Sequence, residues 1–366
     1  MSTTAPTPTV PGRWVVSRFG PPDVLQWQTD VTIPAVLPPR RALIRILVAG
    51  IAGPDNIQRA GGYPNDRCRK PGFTPGYDFV GQTLALGDNC SDLAVGDRVA
   101  SMCMIGAHAT HIELDVADLL KLEPEDDVLR AVSPSLQQHF LAMADRPGMQ
   151  GVNLRPKSSI LIGSAAGGVG TAMAQLVTAF NMDLEMIGSC SESKFDYLRS
   201  LGVTPVDRKD PNLSQTVRSL ANDRGVDVAY DAVGSVESLS QSLKSSKDEN
   251  GRVVAIGIMG EIVGDGSGMT TTKSADEILG QRLGPRMTYW GVERAYYQDT
   301  HDIWRKDFYE ILGKVRTGAL KPVVGRLLPL REAVKAHELL VQGTDVRGKM
   351  LFVVDAYLAR RFGVDG

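Results

Sequence analysis

Apolar residues recur along this chain in two rhythms. From Trp14 to about Leu120 they come as short runs between Gly/Pro turns: Arg13–Val16, Ala42–Val48, Phe79–Leu86, Arg98–Met102 and His111–Leu114. Helical spacing is scarce there, so this stretch predicts an irregular β-rich domain. Arg130 to Ala144 is the first run with convincing helical spacing, and Arg146-Pro-Gly148 ends it. From Ser158 strand and helix patterns alternate. The predicted strands are Ile160–Ile162, Leu184–Ile187, Val226–Tyr230, Arg252–Ile256 and Met287–Trp290, with helices at Thr171–Phe180, Ser193–Leu201 and Leu213–Asp223. Five strands with helical crossovers imply an α/β domain with a doubly wound parallel sheet. A helix at Ile303–Arg316, one at Leu330–Gln342 and a strand at Lys349–Val354 follow, while Lys244–Asn250 and Gly264–Asp276 read as polar surface loops.

Composition narrows the picture. The 366 residues suffice for two domains, and a net charge of −2 with 22% charged residues advertises no basic face for nucleic acid. Cys68, Cys90, Cys103 and Cys190 are scattered without a CxxC pair, which argues for a reducing, cytoplasmic setting and against a cysteine-based zinc lobe. The apolar stretch Ala42–Ala52 is short and carries Arg45, so no membrane span is expected. Met1 to Pro11 is rich in Thr and Pro, lacks an apolar core, and reads as a floppy tail.

The chain is organised around Ile160-Leu-Ile-Gly-Ser-Ala-Ala-Gly-Gly-Val-Gly-Thr171. A buried strand, a turn of small residues and a helix succeed one another. Gly167, Gly168 and Gly170, with Val169 between, leave no Cβ in the way of a pyrophosphate approaching the helix N–H groups. About 20 residues on, where NAD enzymes usually carry an acid for the ribose, stands Gly188-Ser-Cys-Ser-Glu-Ser-Lys194. Ser189 and Ser191 offer hydroxyls and Lys194 a positive charge for a 2′-phosphate; Glu192 argues the other way. NADPH is favoured over NADH.

Four landmarks together carry a resemblance. They are Pro71-Gly-Phe-Thr-Pro-Gly-Tyr-Asp-Phe-Val-Gly81 with Gly96-Asp-Arg-Val99; Ala165-Ala-Gly-Gly-Val-Gly170; Gly225-Val-Asp-Val-Ala-Tyr-Asp-Ala-Val-Gly234; and Gly318 to Phe352 with Gly348-Lys349. In this order they resemble the medium-chain dehydrogenase/reductase superfamily, in its zinc-independent quinone oxidoreductase (zeta-crystallin-like) and enoyl reductase branch. The resemblance implies a split GroES-like β-rich catalytic domain (residues 1–130 and 298–366) around a Rossmann domain (131–297) that binds NADPH, with the active-site cleft between them. It further implies a homodimer joined through sheet edges, with Met287–Trp290 as the candidate strand.

Relatives that use catalytic zinc place Cys in a Gly-x-Cys-Gly-x-Asp turn and His after a Pro-Gly. Here those places hold Ala52, in Gly50-Ile-Ala-Gly-Pro-Asp55, and Tyr77. Neither supplies a thiolate or imidazole, so no metal is expected. His108 and His111 read as core or surface residues. Arg208 falls near a position where relatives use an aromatic to cover the adenine, and Gly257, a candidate cofactor contact, lies at a strand end that faces the cleft in this fold.

The nicotinamide side departs from the pattern. Where relatives often carry Asn there is Ala52, and the best alignment of a Thr-Ala-Tyr stretch puts Gln138-His139-Phe140 there. The resemblance implies hydride transfer from NADPH to an α,β-unsaturated carbonyl or a quinone, with a donor for the developing oxyanion. Candidate donors are Tyr63, in Arg59-Ala-Gly-Gly-Tyr63, together with Gln138 and His139, or a backbone N–H near Ile256–Gly260. Two alternatives stand beside this reading. One is a non-redox double-bond isomerase working by acid/base chemistry through a dienol; the other is an NADPH-binding protein without turnover.

Overall fold

The computed structural model describes residues 10–29, 33–132, 152, 154–264, 266–291, 297–298, 300–342 and 347–364. The chain divides into two compact units. The first comprises Met1–Ser135, Gly264–Met269 and Val324–Gly366, the second Leu136–Val263 and Thr270–Val323.

In the first unit β1 (Arg13–Val16) and β2 (Leu25–Gln28) form an antiparallel pair. The long strand β3 (Arg41–Ile51) is the spine of a larger sheet containing β4 (Phe79–Leu86), β5 (Arg98–Ser101), β6 (His111–Asp115) and β7 (Leu120–Lys121). The C-terminal part of the chain returns to it as β14 (Val324–Pro329) and β15 (Lys349–Val353), giving the order β14-β15-β3-β4-β5-β7 with β6 also on β3. Phe352 pairs with Ala49 and Phe79 pairs with Ala49 from the other side, so both phenylalanines are wholly buried. Between β3 and β4 runs a helix, α1 (Gly53–Ala60).

The second unit holds the parallel sheet: β8 (Ser159–Ile162), β9 (Glu185–Cys190), β10 (Thr204–Asp207), β11 (Val228–Asp231), β12 (Arg252–Ala255) and β13 (Met287–Tyr289). Their order is β10-β9-β8-β11-β12-β13, all parallel. The chain winds outward from β8 to one edge, then from β11 to the other. The topological switch therefore lies between β8 and β11, the place where such sheets bind ligands. The four residues of β8 and of β11 are all buried, as strands covered on both faces require. The helix α2 (Gly168–Ala179) buries Ala172, Met173, Ala174, Leu176 and Val177; the small alanines allow close packing.

The sheet has six strands where the hydrophobic pattern predicts five. The additional strand is β10, Thr-Pro-Val-Asp, whose proline is tolerated because β10 stands at the edge. A helix at Ala275–Arg282 begins inside the stretch read as the end of a surface loop, started by the capping box of Ser274 and Glu277. The helix expected over Arg130–Ala144 falls mostly outside the described residues. No helix among the described residues is long and apolar enough to cross a membrane.

Candidate active site

The dinucleotide half of the site grows from the end of β8. Gly163 N–H donates to Tyr230 O of β11 (2.9 Å), and Ala165 N–H to Ser189 O of β9 (2.9 Å). Ser189 Oγ accepts from Ser164 N–H (3.3 Å), so this hydroxyl holds the glycine turn itself. Gly167 is the N-cap of α2, with no side-chain cap and no acid in the first turn among the described residues. The first N–H groups of a helix lack intrahelical partners and carry partial positive charge. Here Gly168, Val169 and Gly170 present them at the switch point, where the chemistry suits an anion.

Gly170 is fixed by packing. A Cβ there would lie 2.4 Å from Ala165 Cα and 2.5 Å from Ala165 O, both backbone atoms that cannot yield. We expect Gly170→Ala to cost about 1–3 kcal/mol through overpacking, read as a lowered denaturant midpoint. A midpoint equal to wild type would show that the helix stands off the turn.

At the C-terminal end of β9, Arg208 N–H donates to Cys190 O (2.9 Å). Burial pushes the Cys190 thiol up, while Lys194 and Arg208 both pull it down and Asp207 opposes them. Two cations thus converge where β9 gives way to Ser191, the residue that precedes the short helical turn Glu192–Lys194. Gly257 follows β12, its backbone against that of Ala232 just past β11. The β11 end is held by Asp231, whose carboxylate accepts from Val233 N–H (2.9 Å), Gly234 N–H (2.8 Å), Ser238 Oγ (3.2 Å) and Ser242 Oγ (3.0 Å).

The first unit carries Tyr63, Ala52 and Tyr77. Ala52 is the N-cap of α1, and its N–H donates to Asp55 Oδ2 (2.8 Å). Tyr63 is half-buried and meets the buried Tyr77 ring edge to face, with centroids 6.3 Å apart at 84°. Gln138 and His139 lie outside the described residues.

The same unit holds a buried ionisable network that the sequence reading did not single out. His108 is fully buried and Nε2–H donates to Gly50 O (3.1 Å); a carbonyl only accepts, which fixes the tautomer. His108 Nε2 also lies 3.7 Å from Asp55 Oδ2. Burial pushes the Asp55 carboxyl up to about 8, against the Ala52 N–H and with the help of Asp78. Burial lowers His108 to about 4. Both are therefore neutral at pH 7. Asp78 pairs with Lys349, which also donates to Val132 O (3.4 Å). No group of three or more His, Cys, Asp or Glu among the described residues is placed to hold a metal ion.

This geometry has counterparts in known proteins. The alcohol dehydrogenase GroES-like domain family matches residues 38–122, and the zinc-binding dehydrogenase family matches 168–293. The chain belongs to the medium-chain dehydrogenase/reductase superfamily. Within it, the chain falls in the quinone oxidoreductase-like branch. Human quinone oxidoreductase is 25% identical over 342 residues, covering 93% of this chain and 96% of that one. The structure of Escherichia coli quinone oxidoreductase complexed with NADPH superposes with a TM-score of 0.79 at 21% identity, covering 94% of this chain and 100% of that one. CurK enoyl reductase superposes at 0.75 with 21% identity, covering 94% and 99%.

Proposed function

We propose that this protein is an NADPH-dependent, zinc-independent reductase of an α,β-unsaturated carbonyl or a quinone. The observation that carries this reading is the uncapped, acid-free N-terminus of α2 at the switch point of the parallel sheet. The two cations at the end of β9 and the NADPH bound to the Escherichia coli relative support the choice of NADPH. In this reading the amides of Gly168, Val169 and Gly170 take the pyrophosphate, and Ser191, Lys194 and Arg208 take the 2′-phosphate. NADPH supplies the hydride. Tyr63 serves as the donor to the oxyanion that develops on the acceptor, beside Gln138 and His139 as the further candidates. Ala52 and Tyr77, whose side chains offer none of zinc's preferred ligands, support the zinc-independent reading. The position of β13 at the sheet edge supports a homodimer, and four buried cysteines, none in a disulfide, support a reducing, cytoplasmic setting.

The test is incubation with quinones and enones, with and without NADPH. NADPH consumed in step with a product two hydrogens heavier supports the reductase. Turnover indifferent to NADPH, with product of unchanged mass, would sink it in favour of the isomerase. Tight NADPH binding with no turnover on any acceptor would point to a binding protein.

For the cofactor, Lys194→Ala is expected to weaken NADPH by about tenfold, the order of one charge-assisted hydrogen bond, and to leave NADH unchanged. Equal losses for both nucleotides, measured by titration calorimetry, would reject the 2′-phosphate role.

A further inference from the structure

Residues 264–269 pack in the first unit, although the chain on either side of them belongs to the second. Their anchor is Arg59, in the last turn of α1, wholly buried. Arg59 Nη1 donates to Gly266 O (2.8 Å) and to Gly20 O. Nη2 donates to Asn56 Oδ1 (3.0 Å), and Nε to His337 Nδ1 (3.2 Å). None of these partners is a carboxylate. The guanidinium acts as a rigid fork that gathers backbone carbonyls of two loops, a geometry a lysine ammonium cannot copy.

Gly266 is buried at φ +71; a Cβ there would lie 2.6 Å from Val341 Cγ2 and 3.2 Å from Arg59 Nη2. Three residues on, Met269 rests directly on Gly62, where a Cβ would meet its Cε at 2.6 Å and its Sδ at 2.9 Å. On Gly61, which ends α1 at φ +90, a Cβ would meet Phe19 at 2.9 Å. The Gly61–Gly62 turn therefore lies against Phe19 and Met269. The next residue is Tyr63, whose ring stands against Tyr77.

We propose that residues 266–269 are a selectivity strap, in which Met269, held in place through Arg59 and Gly266, positions Tyr63 for flat, ring-bearing acceptors. The inference rests on the reductase reading and adds to it a residue that sets acceptor choice without touching the cofactor. Backbone bonds from Gly61 N–H to Gln58 O (3.1 Å) and from Gly62 N–H to Ile57 O (3.0 Å) close the turn, and Phe19 and Met269 cover it. Gly62 has no side chain of its own, so removing the methionine uncovers the turn next to Tyr63. In this proposal a planar quinone lies against the Tyr63 ring, whose angle is set against the buried Tyr77 ring, whereas a short open-chain enal has no ring to match and depends on that angle less.

The experiment compares kcat/KM for a naphthoquinone and for an open-chain enal in wild type, Met269→Ala, Met269→Leu and Gly266→Ala, with NADPH affinity measured alongside. Met269→Ala and Gly266→Ala are each expected to lower the naphthoquinone-to-enal ratio about tenfold, the scale of one poorly filled contact, with NADPH affinity within about twofold of wild type. Met269→Leu, of similar volume, is expected to retain the wild-type ratio. Equal losses on both acceptors, an unchanged ratio in Met269→Ala, or failure of Met269→Leu to retain it would each overturn the strap. If wild type turns over neither acceptor, the reductase reading fails, and the strap is judged by naphthoquinone binding through fluorescence quenching. Affinity lowered in Met269→Ala and kept in Met269→Leu supports it; affinity alike in all variants, or no binding by wild type, overturns it.

Discussion

Gly168→Asp is expected to abolish NADPH binding, weakening it at least about a hundredfold, while leaving the fold intact. Gly168 is the first residue of α2, directly after its N-cap, and it is not among the residues with positive φ. An L-residue fits that backbone. An aspartate in the first turn also interacts favourably with the helix dipole, worth about 0.3–1 kcal/mol, so thermal stability should hold or rise slightly. The same carboxylate stands where the pyrophosphate must arrive. It takes up the N–H groups that would bind the cofactor and sets a like charge beside it. Two like-charge contacts at the cost of about 1.4 kcal/mol per factor of ten give the hundredfold figure. Calorimetric titration with NADPH decides the matter, and an affinity equal to wild type would remove the helix N-terminus from the account of cofactor binding.

The second large effect concerns pH. Asp55 has its folded-state pKa raised from 3.8 to about 8, so between those values the folded protein holds a proton that the unfolded chain has released. Stability from this group is full below about pH 4 and is lost as pH rises towards 8. His108 works the other way. Its folded pKa is lowered from 6.5 to about 4, so its contribution is full above 6.5 and is lost as pH falls towards 4. The two slopes oppose each other below pH 6.5 and leave Asp55 alone of the pair above it. At about 1.4 kcal/mol per pH unit per proton, wild type should lose on the order of 2 kcal/mol between pH 6.5 and 8. Asp55→Asn keeps an oxygen for the Ala52 N–H and cannot ionise. Denaturant unfolding of this variant should show a shallower decline than wild type over that interval. Parallel curves would mean that Asp55 is ionised in the fold.

Much of the framework was legible because strands buried on both faces must be apolar almost throughout, as Ile160–Ile162 and Val228–Tyr230 are. The glycine turn was legible because close backbone approach excludes other residue types. The β10 strand was not, since four residues containing Thr, Pro and Asp look like a loop until β9 pairs with them. The helix α1 inverts the usual rule: Asp55, Asn56, Gln58 and Arg59 are its most deeply buried residues. No hydrophobic periodicity reveals such a helix. Its signals were terminal, with Pro54 and Asp55 in the first turn and Gly61 at the end. The buried ionisable network depends on partners far apart in sequence, such as Asp78 with Lys349, which only the assembled sheet brings together.

The placement of residues 264–269 bears on how such chains can be recombined. The backbone passes between the units at 135/136, 263/264, 269/270 and 323/324, two more passages than a simple insertion of one domain into another requires. A chimaera that exchanges residues 136–323 with a relative as one cassette would bring a foreign hexapeptide to a native Arg59. A working exchange has to be discontinuous, with Gly264–Met269 inherited together with α1 and the Gly61–Gly62 turn. Acceptor preference should then travel with those six residues rather than with the nucleotide-binding sheet that surrounds them in sequence.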